Sequence, residues 1–291
     1  MRLVYGRIMQ AGESCFSVFP LEANNDGTRA MNQASSSMPS KASLEALIES
    51  CDVGIELFHP GGSAITVELA ERCHVQRGSK VMDVASGAGS TACLLAKHFG
   101  CSVMGIDSSE FMLERARKKA SECGLPIEFL LGDAHSLPAG DESFDVVICE
   151  CTMCALNKQS ALKEMYRVLK PGGYAGIHDL CWKEDAPARL KAELVELENE
   201  QPETLARWKQ CFEEVGFRYV VVDNRSALLR PSMEQISRQV GFLRRLKLFW
   251  TVLRRWGVKG LLRVLRSEKI FLSPFLGYGI IVGRKYGATR E

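Results

Sequence analysis

Val81-Met82-Asp83-Val84-Ala85-Ser86-Gly87-Ala88-Gly89 is the stretch on which the architecture turns. An apolar run suited to a strand passes straight into a glycine-punctuated turn, and STACLLAKHF (90–99) then opens a helical pattern. Glycine at such a junction lets backbone approach a ligand closely, and a helix N-terminus favours negative charge. Outward from this point the alternation continues. SVMGID (102–107) reads as a strand, SEFMLERARKKASECG (109–124) as a helix stopped by Gly124, IEFLLGD (127–133) and FDVVICE (144–150) as strands, SALKEMYRVL (160–169) as a helix and YAGIHDL (174–180) as a strand. The apolar runs are short and nearly continuous, as strands covered on both faces require.

Strands alternating with helices make parallel βαβ units. Upstream, AITVELAERCH (64–74) reads as a helix after the HPGG break at 59–62, and SLEALIES (43–50) as a short helix with Ser43 as its N-cap. Downstream come two helical stretches, PARLKAELVELENE (187–200) and PETLARWKQCFEEVG (202–216), then a strand, FRYVVVDN (217–224). A helical insertion at about 227–275 precedes the closing strand, GYGIIVGRK (277–285). The chain thus divides into an N-terminal arm over 1–41, serine-rich at its end and read as disordered, and an α/β domain over 42–291.

Composition narrows the class. Of 291 residues, 46% are hydrophobic and 25% charged, which excludes collagen, long coiled coil and wholesale disorder. No run of about 18 apolar residues predicts a transmembrane helix. The net charge of +2 excludes polyanion binding by the whole chain, so any basic surface is local. The N-terminus lacks the continuous apolar segment of a secretory signal, so a cytoplasmic location is expected and the eleven cysteines are read as free thiols. An organellar presequence within 1–41 stays open, with Glu13, Glu22 and Asp26 weighing against it.

Gly87-Ala88-Gly89-Ser90-Thr91-Ala92 also fits the G-x-G-x-x-[GA] dinucleotide fingerprint, and Asp107 at the end of the second strand suits a ribose in either reading. A nicotinamide dehydrogenase is therefore one alternative. Asp83 weighs against it, because a carboxylate beside a pyrophosphate is electrostatically poor, whereas beside an ammonium it is favourable. Asp133, at the end of the third strand, suits the amino group of an adenine.

The runs DVASGAG (83–89), GIDSS (105–109), GDAHSLP (132–138), SFDVVI (143–148) and MYRVLKPGG (165–173), in this order and spacing, resemble the class I S-adenosylmethionine-dependent methyltransferase family over roughly residues 59–226 and the last strand. The resemblance implies a Rossmann-like doubly wound sheet of seven strands, the last antiparallel, here with a helical lid from 42–62 and 227–275. It implies S-adenosylmethionine as cofactor. Asp83, Ala85, Ser86, Gly87 and Gly89 would hold its methionine part and Asp107 its ribose. Ser108 and Met112 would flank the adenine, Asp133 and Ala134 would read the adenine edge, and Glu150 would lie near the sulfonium. The family usually has glycine where this chain has Ala85, which is tolerable if φ there stays negative.

For the acceptor, the two strand ends Cys149-Glu150-Cys151-Thr152-Met153-Cys154 and His178-Asp179-Leu180-Cys181-Trp182 matter most. His178 is the candidate general base, with Asp179 orienting it, if the acceptor has a proton to lose. Cys151, Cys154, Cys181 and Trp182 are expected to line a small-molecule pocket. The run at 151–173 is locally similar to arsenite methyltransferases, so a metalloid or thiol acceptor held by the three cysteines is an alternative, although no adjacent cysteine pair lies upstream and C-x-C-x₂-C is not a zinc spacing. No resident metal is expected. A non-catalytic cofactor-binding scaffold is a further alternative, and the intact Asp83, Asp107 and Asp133 weigh against it.

The insertion carries Arg244, Arg245, Lys247, Arg254, Arg255, Lys259, Arg263 and Arg266 without an acid among them, and Phe242, Leu246, Phe249, Trp250 and Leu253 fall on one helical face. The expected role is a lid that buries this apolar face, its basic back (241–266) in water or against an anionic membrane. No nucleic-acid module is recognisable. The accepting atom and the oligomeric state stay open.

Overall fold

Short apolar runs stacked side by side must be covered above and below, and helices supply the cover. In the computed structural model, residues 60–228 and 241–286 are described, the side chains of 228, 241–245, 247 and 248 excepted. The N-terminal arm and the helix expected at 43–50 lie outside the described residues, as do 229–240. The elements run α1 (Gly62–Arg72), β1 (Lys80–Val84), α2 (Ser90–Phe99), β2 (Ser102–Asp107), α3 (Glu110–Glu122), β3 (Glu128–Leu131), β4 (Phe144–Glu150), α4 (Lys158–Val168), β5 (Leu169–Trp182), α5 (Ala188–Glu198), β6 (Glu203–Thr204), α6 (Leu205–Val215), β7 (Phe217–Asn224), α7 (Gly241–Phe271) and β8 (Leu276–Lys285).

The sheet order is β3-β2-β1-β4-β5-β8-β7, with β8 antiparallel to both neighbours and all other path pairings parallel. This is the expected seven-stranded doubly wound sheet. One element escapes a sequence reading: two-residue β6, which pairs with the end of β5 at Cys181 and Trp182 and is too short for any periodicity.

Strand parity sorts the side chains into two layers. Met82, Val84, Val147, Cys149, Ala175 and Ile177 pack with α4 and α6 on one face; Val81, Val103, Val146 and Ile148 pack with α1, α2 and α3 on the other. A third cluster joins Leu180, Trp182 and Tyr278 to Leu194 and Leu197 of α5 and Ile270 of α7. Parity also decides the polar residues. Asp83 stands opposite Gly105 on β2 and Ile148 on β4, while Glu150 stands opposite His178 on β5. Asp83, Asp107, Glu150 and His178 therefore leave the same face as α1 and α2, all at the carboxyl ends of parallel strands.

The insertion between β7 and β8 is α7, broken at Gly257, whose φ of 65° and ψ of −167° interrupt the helix. It docks on α5: Arg263 donates to the carbonyls of Glu196 and Leu197, Ser267 bonds the Glu198 carboxylate, and Arg266 reaches Glu193 at 2.7 Å. The side it buries carries Val252, Ser267 and Ile270. Phe249 and Trp250 stay 40% and 53% exposed. The expectation that a lid buries this aromatic face is corrected accordingly.

Trp208 of α6 is fully buried and its indole N–H donates to the Leu180 carbonyl at 3.0 Å, so α6 pins the site-bearing end of β5. Trp208→Ala is expected to cost about 3–5 kcal/mol in urea unfolding through cavity formation; a loss under about 1 kcal/mol would show that α6 does not fix β5.

Candidate functional site

The first turn after β1 is built from backbone constraints. The Ser86 N–H donates to the Ile106 carbonyl, and Gly89 caps α2 with φ 78°. A side chain at Gly89 would sit 2.9 Å from the Ala116 Cβ, so the close approach of α2 to α3 requires glycine there. Ala85 has φ 59°. This corrects the expectation of a negative φ: the loop needs a left-handed residue at the place where the family usually has glycine, and alanine takes it up with strain. At Gly87, φ is 52° and the space a side chain would enter is open.

Asp83 is buried, and burial pushes its carboxyl well above the usual carboxylate range, with Glu150 and Asp107 adding in the same direction. One oxygen accepts from the Ala92 N–H in the first turn of α2, and Oδ2 has no partner. The Ser86 hydroxyl, also buried, likewise lacks one. Asp107 ties the loop to the next turn: its Oδ2 accepts from Gly87 N–H at 2.8 Å and its Oδ1 from Ser109 N–H at 2.9 Å. Each carboxylate oxygen keeps a further lone pair for a ligand hydroxyl. Ser108 is exposed at this turn, and Met112 is half-buried in the first turn of α3, whose N-cap is Ser109.

Asp133 is exposed in a turn, with Ala134 half-buried behind it. Asp133 Oδ1 accepts from the His135 N–H at 2.9 Å and lies 2.7 Å from His135 Nδ1, which holds its carboxyl below the usual range. The Asn157 N–H donates to His135 Nε2 at 3.1 Å, so His135 carries its proton on Nδ1 and links the β3 turn to the cap of α4.

Glu150, at the end of β4, is held by two threonines that sequence reasoning missed. Thr66 of α1 donates at 3.0 Å and Thr91 of α2 at 2.8 Å. They lie 84 and 59 residues away in sequence, and no local pattern marks them. His178 Nδ1 stands 3.9 Å from Glu150 Oε1, its ring tilted against Tyr278 with centroids 5.1 Å apart. Tyr278 was also missed, sitting in what reads as plain strand. Asp179 does not orient His178. Consecutive strand residues leave opposite faces, and the Asp179 carboxylate accepts instead from the N–H groups of Leu180 at 2.7 Å and Cys154 at 3.3 Å.

The cysteines do not converge as a trio. Cys151 and Cys154 join the cluster around Trp182 and Tyr278, whereas Cys181 belongs to the core beside Trp208 and bonds Ser226. Burial raises all three thiols, with Asp179 adding in the same direction; Cys181 is pushed up to about 12. Among the described residues no cluster of three or more histidine, cysteine or acidic side chains is arranged to hold a metal.

Two outcomes follow from this geometry. Ala85→Gly should raise stability by up to about 1 kcal/mol, because relief of a left-handed alanine (about 1–2 kcal/mol) outweighs the entropy glycine adds; an unchanged or lowered melting temperature would contradict the strain. At pH 8 Cys181 should be thiolate in only roughly one molecule in ten thousand, so mass-mapped alkylation of the native protein should leave Cys151, Cys154 and Cys181 far slower than a free thiol. Rapid labelling of Cys154 and Cys181 would contradict their burial.

The family described as methyltransferase domain matches residues 76–226, about half of the chain. An uncharacterised protein of Haemophilus influenzae is 35% identical over 175 residues, covering 58% of this chain and 70% of that one. Phosphoethanolamine N-methyltransferase 1 of Zea mays is 29% identical over 57% of this chain, but the match spans only a third of the maize enzyme. Among solved structures, the [4+2]-cyclase SpnF superposes with a TM-score of 0.70 at 24% identity, over 84% of this chain and 93% of its own, which shows the shared fold. The chain belongs to the methyltransferase domain family, of the class I S-adenosylmethionine-dependent kind.

Proposed function

We infer that the cleft at the carboxyl ends of β2, β1, β4 and β5 holds S-adenosylmethionine and that its methyl group passes to a small-molecule acceptor between Glu150, His178 and Tyr278. The observation that carries this reading is the unpartnered Oδ2 of buried Asp83, set among Asp107 and Glu150 and in need of a cation. The residues fit the cofactor: an orphaned carboxylate oxygen and an orphaned hydroxyl suit an amino-acid head group, and an open glycine loop admits it. When bound, S-adenosylmethionine supplies an electrophilic methyl on a sulfonium.

This chain's own residues do the rest. Asp83 receives the ammonium, with Ala85, Ser86, Gly87 and Gly89 shaping the loop around the methionine part. Asp107 accepts from ribose hydroxyls while bracing the loop. Ser108 and Met112 flank the adenine, and Asp133 and Ala134 meet its edge. Glu150, fixed by Thr66 and Thr91, places negative charge near the sulfonium, and its geometry is set before any ligand arrives. Methyl transfer is an in-line displacement governed by alignment. Where the acceptor must shed a proton, His178 takes it, with Glu150 stabilising the imidazolium across 3.9 Å. Cys151, Cys154 and Trp182 close the acceptor side.

The test is calorimetry with S-adenosylmethionine. Burial, with Glu150 and Asp107 adding to it, raises the Asp83 carboxyl in the free protein, and an arriving ammonium lowers it. Binding therefore releases a proton, and affinity rises with pH through the raised value. Asp83→Asn should abolish that release, weaken binding at least tenfold (about 1.4 kcal/mol) and leave the free protein more stable at pH 8 than the parent. Asp107→Ala should weaken binding through loss of charge-assisted hydrogen bonds, about 1.5–3 kcal/mol. Parent-like affinity in both variants would move the cofactor elsewhere.

A further inference from the structure

We propose that α7 is an interfacial element that seats the protein on an anionic lipid bilayer. Three observations converge. First, charge is segregated along the chain. Residues 241–267 carry eight arginines and lysines and no acid, while the whole chain is only +2, so the remainder is −6. Second, among the described basic side chains of this stretch, Arg263 and Arg266 are committed to α5. Arg254, Arg255 and Lys259 are exposed, and Lys269 extends the row.

Third, the helix shows water an apolar stripe. Beyond the Gly257 break, Val258, Leu262 and Leu265 follow the i, i+4, i+7 spacing of one face, each more than half exposed. Before the break, Leu246, Phe249 and Trp250 form a second exposed set at i, i+3, i+4. Apolar side chains left out in water and bordered by cations are what an interfacial helix presents to headgroups and acyl chains. Among the described residues no helix is long and apolar enough to cross a membrane, so α7 lies on a bilayer rather than through it.

Other occupants fit less well. A nucleic acid would engage the cations but leave the leucines and aromatics in water. A two-fold pairing of this stripe with a second copy would set Arg254, Arg255 and Lys259 against their own counterparts. The helix also ends at Ile270 and Phe271 in the cluster that holds Cys151, Trp182 and Tyr278, so docking places the bilayer on the helix that packs behind the acceptor side.

The experiment is co-sedimentation of the full chain with phosphatidylcholine vesicles containing phosphatidylglycerol, and with phosphatidylcholine alone, at low and high salt. The protein is expected to sediment with the anionic vesicles only, and less at high salt. Changing Arg254, Arg255 and Lys259 together to Gln should weaken binding roughly 100-fold. Leu262→Asp with Leu265→Asp, at sites already in water, should abolish it while S-adenosylmethionine affinity stays at the parent value, which separates this surface from the cofactor cleft. The proposal is overturned if the parent ignores anionic vesicles or if the two-leucine variant binds them as well as the parent. It is equally overturned if duplex DNA competes the protein off the vesicles at equal charge, or if sedimentation velocity shows a dimer that the two-leucine variant dissolves.

Discussion

Like charges gathered in a poorly hydrated place are the constraint around which this molecule is arranged. Asp83, Asp107 and Glu150 leave one face of the sheet at the ends of three adjacent parallel strands. Two are stabilised by donors from the chain itself: Asp107 by two backbone N–H groups, Glu150 by two threonine hydroxyls. Asp83 has one donor, in the first turn of α2, and an oxygen facing nothing. The helix dipole and the glycine turn are thus placed where they offset part of a cost that a cationic ligand removes entirely. An arrangement of this kind is less stable than the same fold with neutral residues there.

The two halves of the site are built on different principles. The half proposed for the cofactor is backbone work: left-handed residues at 85, 87 and 89, and a carboxylate stapling one turn to the next. The half proposed for the acceptor is side-chain work: Tyr278, Trp182, Cys151 and Cys154 packed with α5 and the end of α7. Burial raises its thiols, with Asp179 adding in the same direction, which disfavours the anionic sulfur that a metalloid would require.

What the sequence disclosed and what it hid divide along a physical line. KVMDV, SVMGID and FDVVICE declare themselves as strands because burial on both faces writes a continuous apolar run. The acids at their ends follow at once, since position on a strand fixes position in the cleft. Parity is one step harder: adjacency of His178 and Asp179 suggests a pair, yet alternation sends them to opposite faces. The sign of φ at Ala85 leaves no trace in composition. Thr66 and Thr91 reach Glu150 only through the packing of two helices. The exposure of Phe249 and Trp250 depends on which side of α7 meets α5, and Arg263 and Ser267 settle that rather than hydrophobic periodicity.

The antiparallel placement of β8 has a consequence for how such a chain diversifies. Asn224 of β7 and Gly279 of β8 are register partners, so everything between them departs from the sheet edge and returns to the same point. A segment closed in this way is a graft on a finished scaffold. Lengthening it costs only about 0.6 kcal/mol per doubling, and its replacement leaves the pairing of β1 to β4 untouched. The family match stops at residue 226, two positions past that junction.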